Sequence, residues 1–550
     1  MKIGRRILRE RHIVLALFIL ALLPRVLNLN AFITWDEPMW TYRSIKFLTA
    51  LRRMDFGGTF LVGHPGVLTM WSGATGISIQ RLLGFPPTLG GQGGDFMWLS
   101  GLPTLDPRDT EALRKLAPFL PATKLPMVVL HAACIVGIYV LARQLFDTKV
   151  ALLAALLLAL DPFHLALSRV LHIDALAANF MTLSLLSLLV HLRSLGFLGI
   201  TVSESPTCWG HGAMNPNKFG APMCHPQRET TQLRSHFYLL LSGAFAGLAF
   251  LSKSYALFLA PFAGLLLAVA CLTKRGFRQA IPLLLGSFAT WCLVAALIVF
   301  LLWPAMWVDP LGTVQGVLDT AFGYAATAQA TSRFFVGKIV DDPGPWFYPV
   351  VLAFRTTPLT VFGLVIAIPL LFSGQEHVKR VKRENVKRET NKMQRGNLVA
   401  ILAYACFFTI LMAMGAKKFD RYMLPVILAL DIVAAWGLVE LGKIKVQRSK
   451  IKAQIWTWDL GFWILLLLLQ SGYILSYHPY YLAYYNPLLG GLPRAVQVLP
   501  VGWGEGMDLA ARYLNQKEDA ADLRVATWGI PGFAPLFEGQ TEELTEHNLA

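Results

Sequence analysis

The sequence TWDEPMWTYR, residues 34–43, follows directly on the first long apolar segment of the chain. It places two adjacent carboxylates, Asp36 and Glu37, between two tryptophans, and tryptophan favours the interface between a bilayer and water. Carboxylates this close to hydrocarbon lose solvation, which is unfavourable unless a partner or a chemical task holds them. The segment therefore indicates chemistry at a membrane surface, or else a polar loop in which Asp36 begins a helix with Pro38 in its first turn.

The whole composition is that of a polytopic membrane protein. Of the 550 residues, 55% are apolar and 15% are charged, which excludes an ordinary soluble domain. Segments of about 20 apolar residues can cross a hydrocarbon core of roughly 30 Å. We count eleven such segments, at about 12–29, 125–146, 148–167, 174–192, 237–252, 255–272, 280–303, 347–372, 397–415, 423–442 and 457–477. The fold class expected is therefore all-α, with about eleven transmembrane helices.

The basic residues predict the orientation of these helices. The formal net charge of +16 would suit nucleic acid only if the basic residues shared a soluble face. Instead, runs at 274–278, 379–395 and 443–452 fall in alternate loops, which the positive-inside rule assigns to the cytoplasm. The first segment has basic residues before it and no small-residue cleavage site, so we expect a retained helix and a cytoplasmic N-terminus. The lipid bilayer is thus an expected partner, and nucleic acid is not.

Two regions are expected to lie outside the cytoplasm. The first loop, residues 30–124, follows the first apolar segment, and helical spacing of apolar residues at 40–54 indicates an interfacial helix. Residues 67–83 predict a second in-plane helix, although they are long enough to span. The C-terminal region, residues 479–550, includes a strand-like run at 523–528, which indicates a small α/β tail. The division expected is a membrane domain at 1–478, with cytoplasmic loops at 193–236 and 373–396, followed by this tail.

The loop at 193–236 has residue types that suit zinc, namely Cys208, His211, Cys224 and His225. Adjacent Cys224 and His225 are poor geometry for one tetrahedral site, so a solvated loop is the favoured interpretation and the role of the cluster stays open. No cysteine pair falls in an outer loop, and disulfides are not expected.

Charged residues gather in the connections predicted to face outward. They are His164, Arg169, His172 and Asp174 in one short connection, Lys253 in the next, Arg355 beside Pro358, and Lys417, Lys418 and Arg421 before the tenth segment. A carboxylate beside a cationic pocket suits transfer from a lipid-linked phosphate, because the acid takes a proton from the attacking hydroxyl while the cations stabilise the phosphate leaving group. No nucleotide-binding glycine loop is present. A site outside the cell has no nucleotide-sugar, so a polyprenyl carrier is the expected source of sugar.

The same features resemble the GT-C glycosyltransferases. The motifs that carry the resemblance are the acidic first loop, His64-Pro65-Gly66, Ser168-Arg169 with Asp174, Gly247 to Lys253, Phe354 to Leu359, and Lys418 to Pro425. Within that superfamily the sequence is most similar to the bacterial phospholipid-carrier-dependent branch related to protein O-mannosyltransferases and aminoarabinose transferases. The resemblance covers roughly residues 10–440.

The resemblance implies a GT-C fold in a bacterial-type plasma membrane, with an active site outside the cytoplasm that inverts the sugar without a covalent intermediate. It implies that Asp36 is the base or orients the acceptor, with Glu37 as the neighbouring acid. It implies donor-phosphate contacts that we assign to Arg169, Lys253, Arg355, Lys418 and Arg421, and substrate or metal contacts to His64, His172 and Asp174.

The expected partners are a polyprenyl-phosphate-linked sugar donor and a protein, lipid or glycan acceptor. No cofactor is required by the sequence, although a divalent metal ion stays open because His64-Pro65-Gly66 departs from aminoarabinose-type members. The alternative function is a polytopic transporter or lipid flippase, which would carry paired repeats with broken helices. We find no such duplication in the sequence.

Overall fold

The computed structural model describes residues 2–84, 92–194, 226–274, 277–326, 333–373, 382–448 and 452–545. Regular structure in these residues is almost all helical, as expected for a chain that must satisfy its backbone polar groups within each membrane segment. The Cys208, His211, Cys224 and His225 cluster lies outside the described residues.

The first part of the chain contains the first loop and the helices around it. The α-helices are α1 (Lys2–Val26), α2 (Glu37–Arg52), α3 (Val67–Leu83), α4 (Gln92–Gly101), α5 (Thr110–Leu116), α6 (Leu120–Leu145), α7 (Thr148–Leu160), α8 (Pro162–Leu167) and α9 (Asp174–Ser194). Short 3-10 helices occupy Gly57–Thr59 and Ala117–Phe119. Both helices predicted in the first loop are present as α2 and α3, and these pack against each other and against α6.

The middle of the chain continues the helical bundle. Its α-helices are α10 (Pro226–Ser252), α11 (Leu259–Lys274), α12 (Phe277–Leu302), α13 (Ala305–Val308), α14 (Pro310–Ala326), α15 (Phe347–Arg355), α16 (Pro358–Phe372), α17 (Lys382–Met414) and α18 (Leu424–Arg448). A hairpin of β1 (Arg333–Phe335) and β2 (Lys338–Val340) precedes α15, and 3-10 helices Ser254–Phe258 and Asp420–Met423 precede α11 and α18.

The chain ends with α19 (Lys452–Tyr477) and the C-terminal region. That region contains α20 (Gly491–Ala495), α21 (Met507–Leu514), β3 (Arg524–Thr527), α22 (Ile530–Phe533), β4 (Gln540–Glu543) and 3-10 helices Tyr481–Ala483 and Pro487–Leu489. Strands β3 and β4 pair in parallel. Part of this region packs on α5, where Arg114 donates to the carbonyl of Phe537 at 3.0 Å.

Each of the eleven predicted segments contains a helix, which confirms the helical polytopic fold. Among the described residues, seven helices are long and apolar enough to cross a membrane: Thr110–Leu145, Asp174–Ser194, Leu233–Ser252, Ser254–Leu272, Ile281–Leu302, Met393–Met414 and Asp420–Lys443. Helices α15 and α16 make an eighth if the pair, bent by 111°, is one span. The eleven-span count stays a prediction.

Candidate active site

Asp36 lies at the start of α2, where the chain leaves α1 and enters the first loop. Its Oδ2 is 3.4 Å from His172 Nε2 and 3.7 Å from Arg421 Nη2, and 43% of its side chain is exposed. Burial alone would raise the pKa of Asp36, but the contact with His172 and the charge of Arg421 outweigh it, so this pKa lies well below its usual range. Asp36 is therefore an ionised carboxylate that remains reachable from outside the protein.

Asp174, the first residue of α9, is a second carboxylate near Asp36, and its side chain is fully buried. Its Oδ1 lies 2.5 Å from Lys253 Nζ, and its Oδ2 lies 3.1 Å from His172 Nδ1 and 3.2 Å from Arg421 Nε. His172 and Arg421 thus each contact both acids. A buried carboxylate is retained only with such partners, and here two cations and an imidazole surround it.

Breaks between helices bring these groups together. Lys253 stands between α10 and the 3-10 helix Ser254–Phe258 with extended backbone angles, and Arg421 stands in the 3-10 helix before α18. The connection between α8 and α9 supplies His172. Because each of these residues stands where a helix is interrupted, their charged side chains can turn toward one another and meet at Asp174.

Beside Asp36 lies a cavity of about 550 Å³. Its lining includes four cations, which are Arg43, Lys253, Lys417 and Arg421, together with Asp36 itself. A second part of the lining is apolar and comes from the 3-10 helix before α11, from α14 and from α17: Leu257, Phe258, Leu318, Phe322, Leu411 and Met412. The cavity can therefore hold an anion at one part of its wall and hydrocarbon at another.

His64 also lines this cavity and lies edge-on to the Trp40 ring, with ring centres 5.8 Å apart. Burial, with the nearby charges of Arg43 and Lys253, lowers the pKa of His64 to about 3. The ring is neutral at physiological pH, so it can accept a hydrogen bond from a substrate hydroxyl but adds no charge for a phosphate.

Glu37 does not face the cavity. Its side chain is 0% exposed, and it lies 2.7 Å from Lys124 Nζ. It also accepts hydrogen bonds from the backbone N–H of Thr34 at 2.7 Å and of Leu171 at 3.0 Å. Glu37 therefore ties the segment before Asp36 to the segment before His172, and the catalytic role expected for it stays a prediction.

Arg169 does not reach the cavity either. Its guanidinium donates to the carbonyls of Leu27 at 2.6 Å and Asn28 at 2.7 Å, and it lies over the Tyr481 ring at 5.0 Å. Those contacts join the end of α1 to the C-terminal region. The guanidinium of Arg169 is thus directed at backbone oxygens in this structure, and its expected contact with the donor phosphate stays a prediction.

Arg355 and Lys418 are held by the protein in the same manner. Arg355 donates to Asp420 Oδ2 at 2.6 and 3.0 Å and to the carbonyls of Leu482 and Tyr484. Lys418 lies 2.7 Å from Asp342 and is buried. Of the five predicted phosphate-binding cations, the structure brings Lys253 and Arg421 to the cavity and leaves Arg169, Arg355 and Lys418 outside its lining.

Two residues of the site, Arg43 and Trp503, were not predicted from the sequence. Arg43 lies seven positions after Asp36 on α2, hence on the same helical face, and its guanidinium is 4.7 Å from the Trp40 ring. The spacing of seven positions from Asp36 could therefore have predicted that Arg43 lies at the site. Trp503, in the C-terminal region, lies 4.8 Å from the His172 ring and 4.6 Å from the Arg421 guanidinium carbon. No sequence pattern signals this contact, because 331 positions separate Trp503 from His172.

In the described part of the chain, no group of three or more His, Cys, Asp and Glu residues could hold a metal ion. Both oxygens of Asp174 already face Lys253, His172 and Arg421. Among the described residues, the side chains at the site therefore do not fit a divalent ion.

Comparison with known proteins adds a family match. Residues 121–196 match the family model described as dolichyl-phosphate-mannose-protein mannosyltransferase. The matched segment covers α6 to α9 and includes both His172 and Asp174. This match confirms the resemblance to lipid-carrier-dependent GT-C glycosyltransferases. A search of curated proteins found no match.

Three solved structures resemble the fold at low identity. ArnT from Cupriavidus metallidurans bound to undecaprenyl phosphate is 14% identical with a TM-score of 0.47, over 96% of this chain and 85% of that one. The oligosaccharyltransferase AglB from Archaeoglobus fulgidus, in complex with an inhibitory peptide and a dolichol-phosphate, is 13% identical with a TM-score of 0.42, over 97% and 64%. The S. cerevisiae protein O-mannosyltransferase Pmt1-Pmt2 complex bound to the sugar donor is 14% identical with a TM-score of 0.35, over 60% and 39%. This chain spans less than two thirds of the AglB and Pmt chains that it matches.

Proposed function

We propose that this protein is an integral membrane glycosyltransferase that transfers a sugar from a polyprenyl-phosphate carrier to a hydroxyl acceptor on the outer side of the membrane. The observation that carries the proposal is the cavity in which ionised Asp36 lies beside Arg43, Lys253, Lys417 and Arg421. The family match at residues 121–196 supports the same class of donor.

The donor fits the two parts of the cavity wall. A sugar linked to polyprenyl phosphate is a phosphodiester with one negative charge, which Lys253 and Arg421 would neutralise. The apolar wall of Leu257, Phe258 and Phe322 suits the first isoprene units. This arrangement would place the sugar carbon that bears the phosphate next to Asp36.

The reaction is a single displacement with inversion. The acceptor oxygen forms a bond to the sugar carbon while the bond from that carbon to the phosphate oxygen breaks and its electron pair leaves with polyprenyl phosphate. The acceptor proton passes to Asp36. The cations bind the leaving phosphate more strongly as its charge grows.

Donor binding would also activate Asp36. Arg421 and His172 hold the pKa of Asp36 low in the free protein, which makes it a weak base. A phosphate bound at Arg421 would offset part of that positive charge and return the pKa of Asp36 toward its usual range. The base would then be strongest when donor is present, which disfavours proton uptake without a substrate.

The test is transfer by purified protein in lipid discs. Undecaprenyl-phosphate-linked mannose, glucose and aminoarabinose would be offered in turn with serine- and threonine-containing peptides, lipid and glycan acceptors, and polyprenyl phosphate release would be measured. Asp36→Asn should bind donor but lower transfer by about 10² to 10⁴, the usual scale of a positioned base. Asp55→Asn, an exposed acid of the same first loop, is the matched control and should transfer normally.

Near-normal transfer by a well-folded Asp36→Asn protein would disprove the role of Asp36. With the protein in closed vesicles, movement of the lipid-linked sugar across the membrane without transfer would favour the alternative of a transporter or lipid flippase. Transfer with retained sugar configuration would contradict the single displacement.

A further inference from the structure

The C-terminal region sends one glycine-rich loop into the candidate active site. This loop, Gly502–Gly506, has the sequence Gly-Trp-Gly-Glu-Gly. Its three glycines all have positive φ angles, which residues with a side chain rarely adopt. The loop lies outside the segment that matches the family model.

Trp503, between the first two of these glycines, contacts the two side chains that bridge the acids. Its ring packs edge-to-face on His172, with ring centres 4.8 Å apart and an interplanar angle of 84°. The Arg421 guanidinium carbon lies 4.6 Å from the Trp503 ring centre, within the range of a cation–π contact. Trp503 therefore touches both His172 and Arg421, which in turn contact Asp36 and Asp174.

Two further contacts fix the loop in this place. The backbone N–H of Trp503 donates to Glu505 Oε2 at 2.5 Å, which closes the loop on itself. Gly504 packs directly on the segment before Asp36, where a Cβ atom at Gly504 would overlap the carbonyl oxygen of Ile33. Only glycine allows this close approach, so the loop is held against the residues that lead into Asp36.

We propose that the Gly502–Gly506 loop is a positioning element of the active site, in which Trp503 holds the His172 ring and the Arg421 guanidinium against Asp36. The proposal rests on the proposed function. It makes the C-terminal region a part of the catalytic centre, although the membrane domain supplies the groups that touch the substrate.

Trp503 is needed for this positioning because a long arginine side chain loses much conformational freedom when it is held in one place, and contacts must offset that loss. Arg421 already lies on the Phe419 ring at 3.9 Å, and Trp503 adds a second aromatic contact. The guanidinium is thereby kept where it can reach both Asp36 and an incoming phosphate. A cation–π contact of ordinary strength corresponds to a change of about three- to thirtyfold in an equilibrium or rate constant.

The first test is substitution of Trp503. Trp503→Ala should lower kcat about tenfold while the donor KM changes less than about threefold, because Lys253, which also lines the cavity, stays in place. Trp503→Phe keeps an aromatic face and should retain most of the activity. Trp528→Ala is the matched control, since Trp528 is in the same region but 79% exposed, and it should transfer normally.

A double variant tests whether Trp503 acts through Arg421. In an Arg421→Gln background the cation–π contact is already lost, so adding Trp503→Ala should cost less than about twofold more. A full additional tenfold loss in that background would contradict a role exerted through Arg421, and normal kcat in well-folded Trp503→Ala would overturn the proposal outright.

A glycine pair tests the placement of the loop without changing the tryptophan. Gly504→Ala and Gly502→Ala share the strain of a positive φ, but a Cβ atom at Gly502 meets nothing within 4 Å whereas one at Gly504 strikes Ile33. Gly504→Ala should therefore lower kcat and accelerate hydrogen exchange at residues 33–37 by more than Gly502→Ala does, because only the Gly504 variant adds a clash with Ile33 to the shared backbone strain. Equal behaviour of the two variants would overturn the proposal.

The hydrogen-exchange measurement distinguishes a failure of the proposed function from a failure of the positioning role of the loop. If the wild-type protein transfers no sugar from any donor, the proposed function fails. The difference in hydrogen exchange between Gly504→Ala and Gly502→Ala would still decide whether the loop holds the segment before Asp36. If the wild-type protein is active and the loop variants are too, only the positioning role fails.

Discussion

Lys253 is a buried lysine in the turn between two membrane-spanning helices, with its ammonium 2.5 Å from Asp174 and 4.0 Å from the centre of the Tyr422 ring. Burial lowers the pKa of Lys253 to about 8, Asp174 opposes this shift, and the cation Arg421 adds to it. The ammonium is therefore the dominant form at pH 7 and becomes the minor form above pH 8.

This lowered pKa predicts that donor binding weakens as pH rises. The protonated fraction of a group with a pKa near 8 falls roughly tenfold between pH 7 and pH 9, and affinity for a phosphodiester should fall by up to that factor. The donor itself keeps one charge over this range. Titration of polyprenyl-phosphate-sugar by calorimetry at both pH values measures the change, and binding at pH 9 should take up a proton.

Lys253→Arg is the matched control for the pH effect. Arginine stays charged, so its donor affinity should be nearly constant from pH 7 to pH 9 even if the absolute affinity is lower. A flat profile for wild-type protein would contradict the prediction, and an equally steep profile for Lys253→Arg would assign the pH dependence to another group.

At the scale of elements, a close approach of α16 and α18 fixes the bent pair α15 and α16 in the bundle. A Cβ atom at Gly437 of α18 would overlap the carbonyl oxygen of Gly363 on α16, so the two backbones are in direct contact there. Small residues permit this kind of packing inside a membrane. The contact matters for the site because α18 begins directly after the 3-10 helix that contains Arg421, and α15 ends at Arg355, which holds Asp420.

A pair of glycine substitutions on α18 tests this packing. Gly437→Ala should lower the free energy of unfolding by about 1–3 kcal/mol, the usual cost of overpacking. Gly442→Ala, on the same helix with nothing within 4 Å of the added carbon, should leave stability unchanged or raise it by up to about 1 kcal/mol. Thermal unfolding in the same detergent compares them, and equal midpoints would mean that α16 and α18 do not pack this closely.

At the scale of the whole molecule, the first loop and the C-terminal region contact each other. Arg114 of α5 donates to the carbonyl of Phe537, and Arg108 lies 3.0 Å from Glu543. The two regions must therefore share one side of the membrane. The positive-inside rule predicts that this side is the outer one, opposite the basic run at 379–395.

Cysteine labelling tests this topology. In a variant without native cysteines, single cysteines in place of Asp55 and Trp528 should react with an impermeant reagent from outside, whereas one in place of Arg395 should react only after the membrane is opened. Labelling of positions 395 and 528 from the same side would contradict the eleven-span prediction.

The sequence by itself determined the features that depend on local patterns. Apolar length predicted the helical polytopic fold, helical spacing predicted α2 and α3, and the position of two acids at the end of an apolar segment singled out Asp36. Each of these signals lies within about 20 consecutive residues, where composition and periodicity act directly on local structure.

The tertiary structure decided which charged residues face the cavity. Arg169, Arg355 and Lys418 look from sequence much like Lys253 and Arg421, yet backbone carbonyls, Asp420 and Asp342 take up their donors. The contacts of Glu37 and Trp503 could not be predicted either, because their partners Lys124 and Arg421 are distant in sequence. A charge in a membrane protein needs a partner, and only the packing of the helices determines whether that partner belongs to the protein or to the substrate.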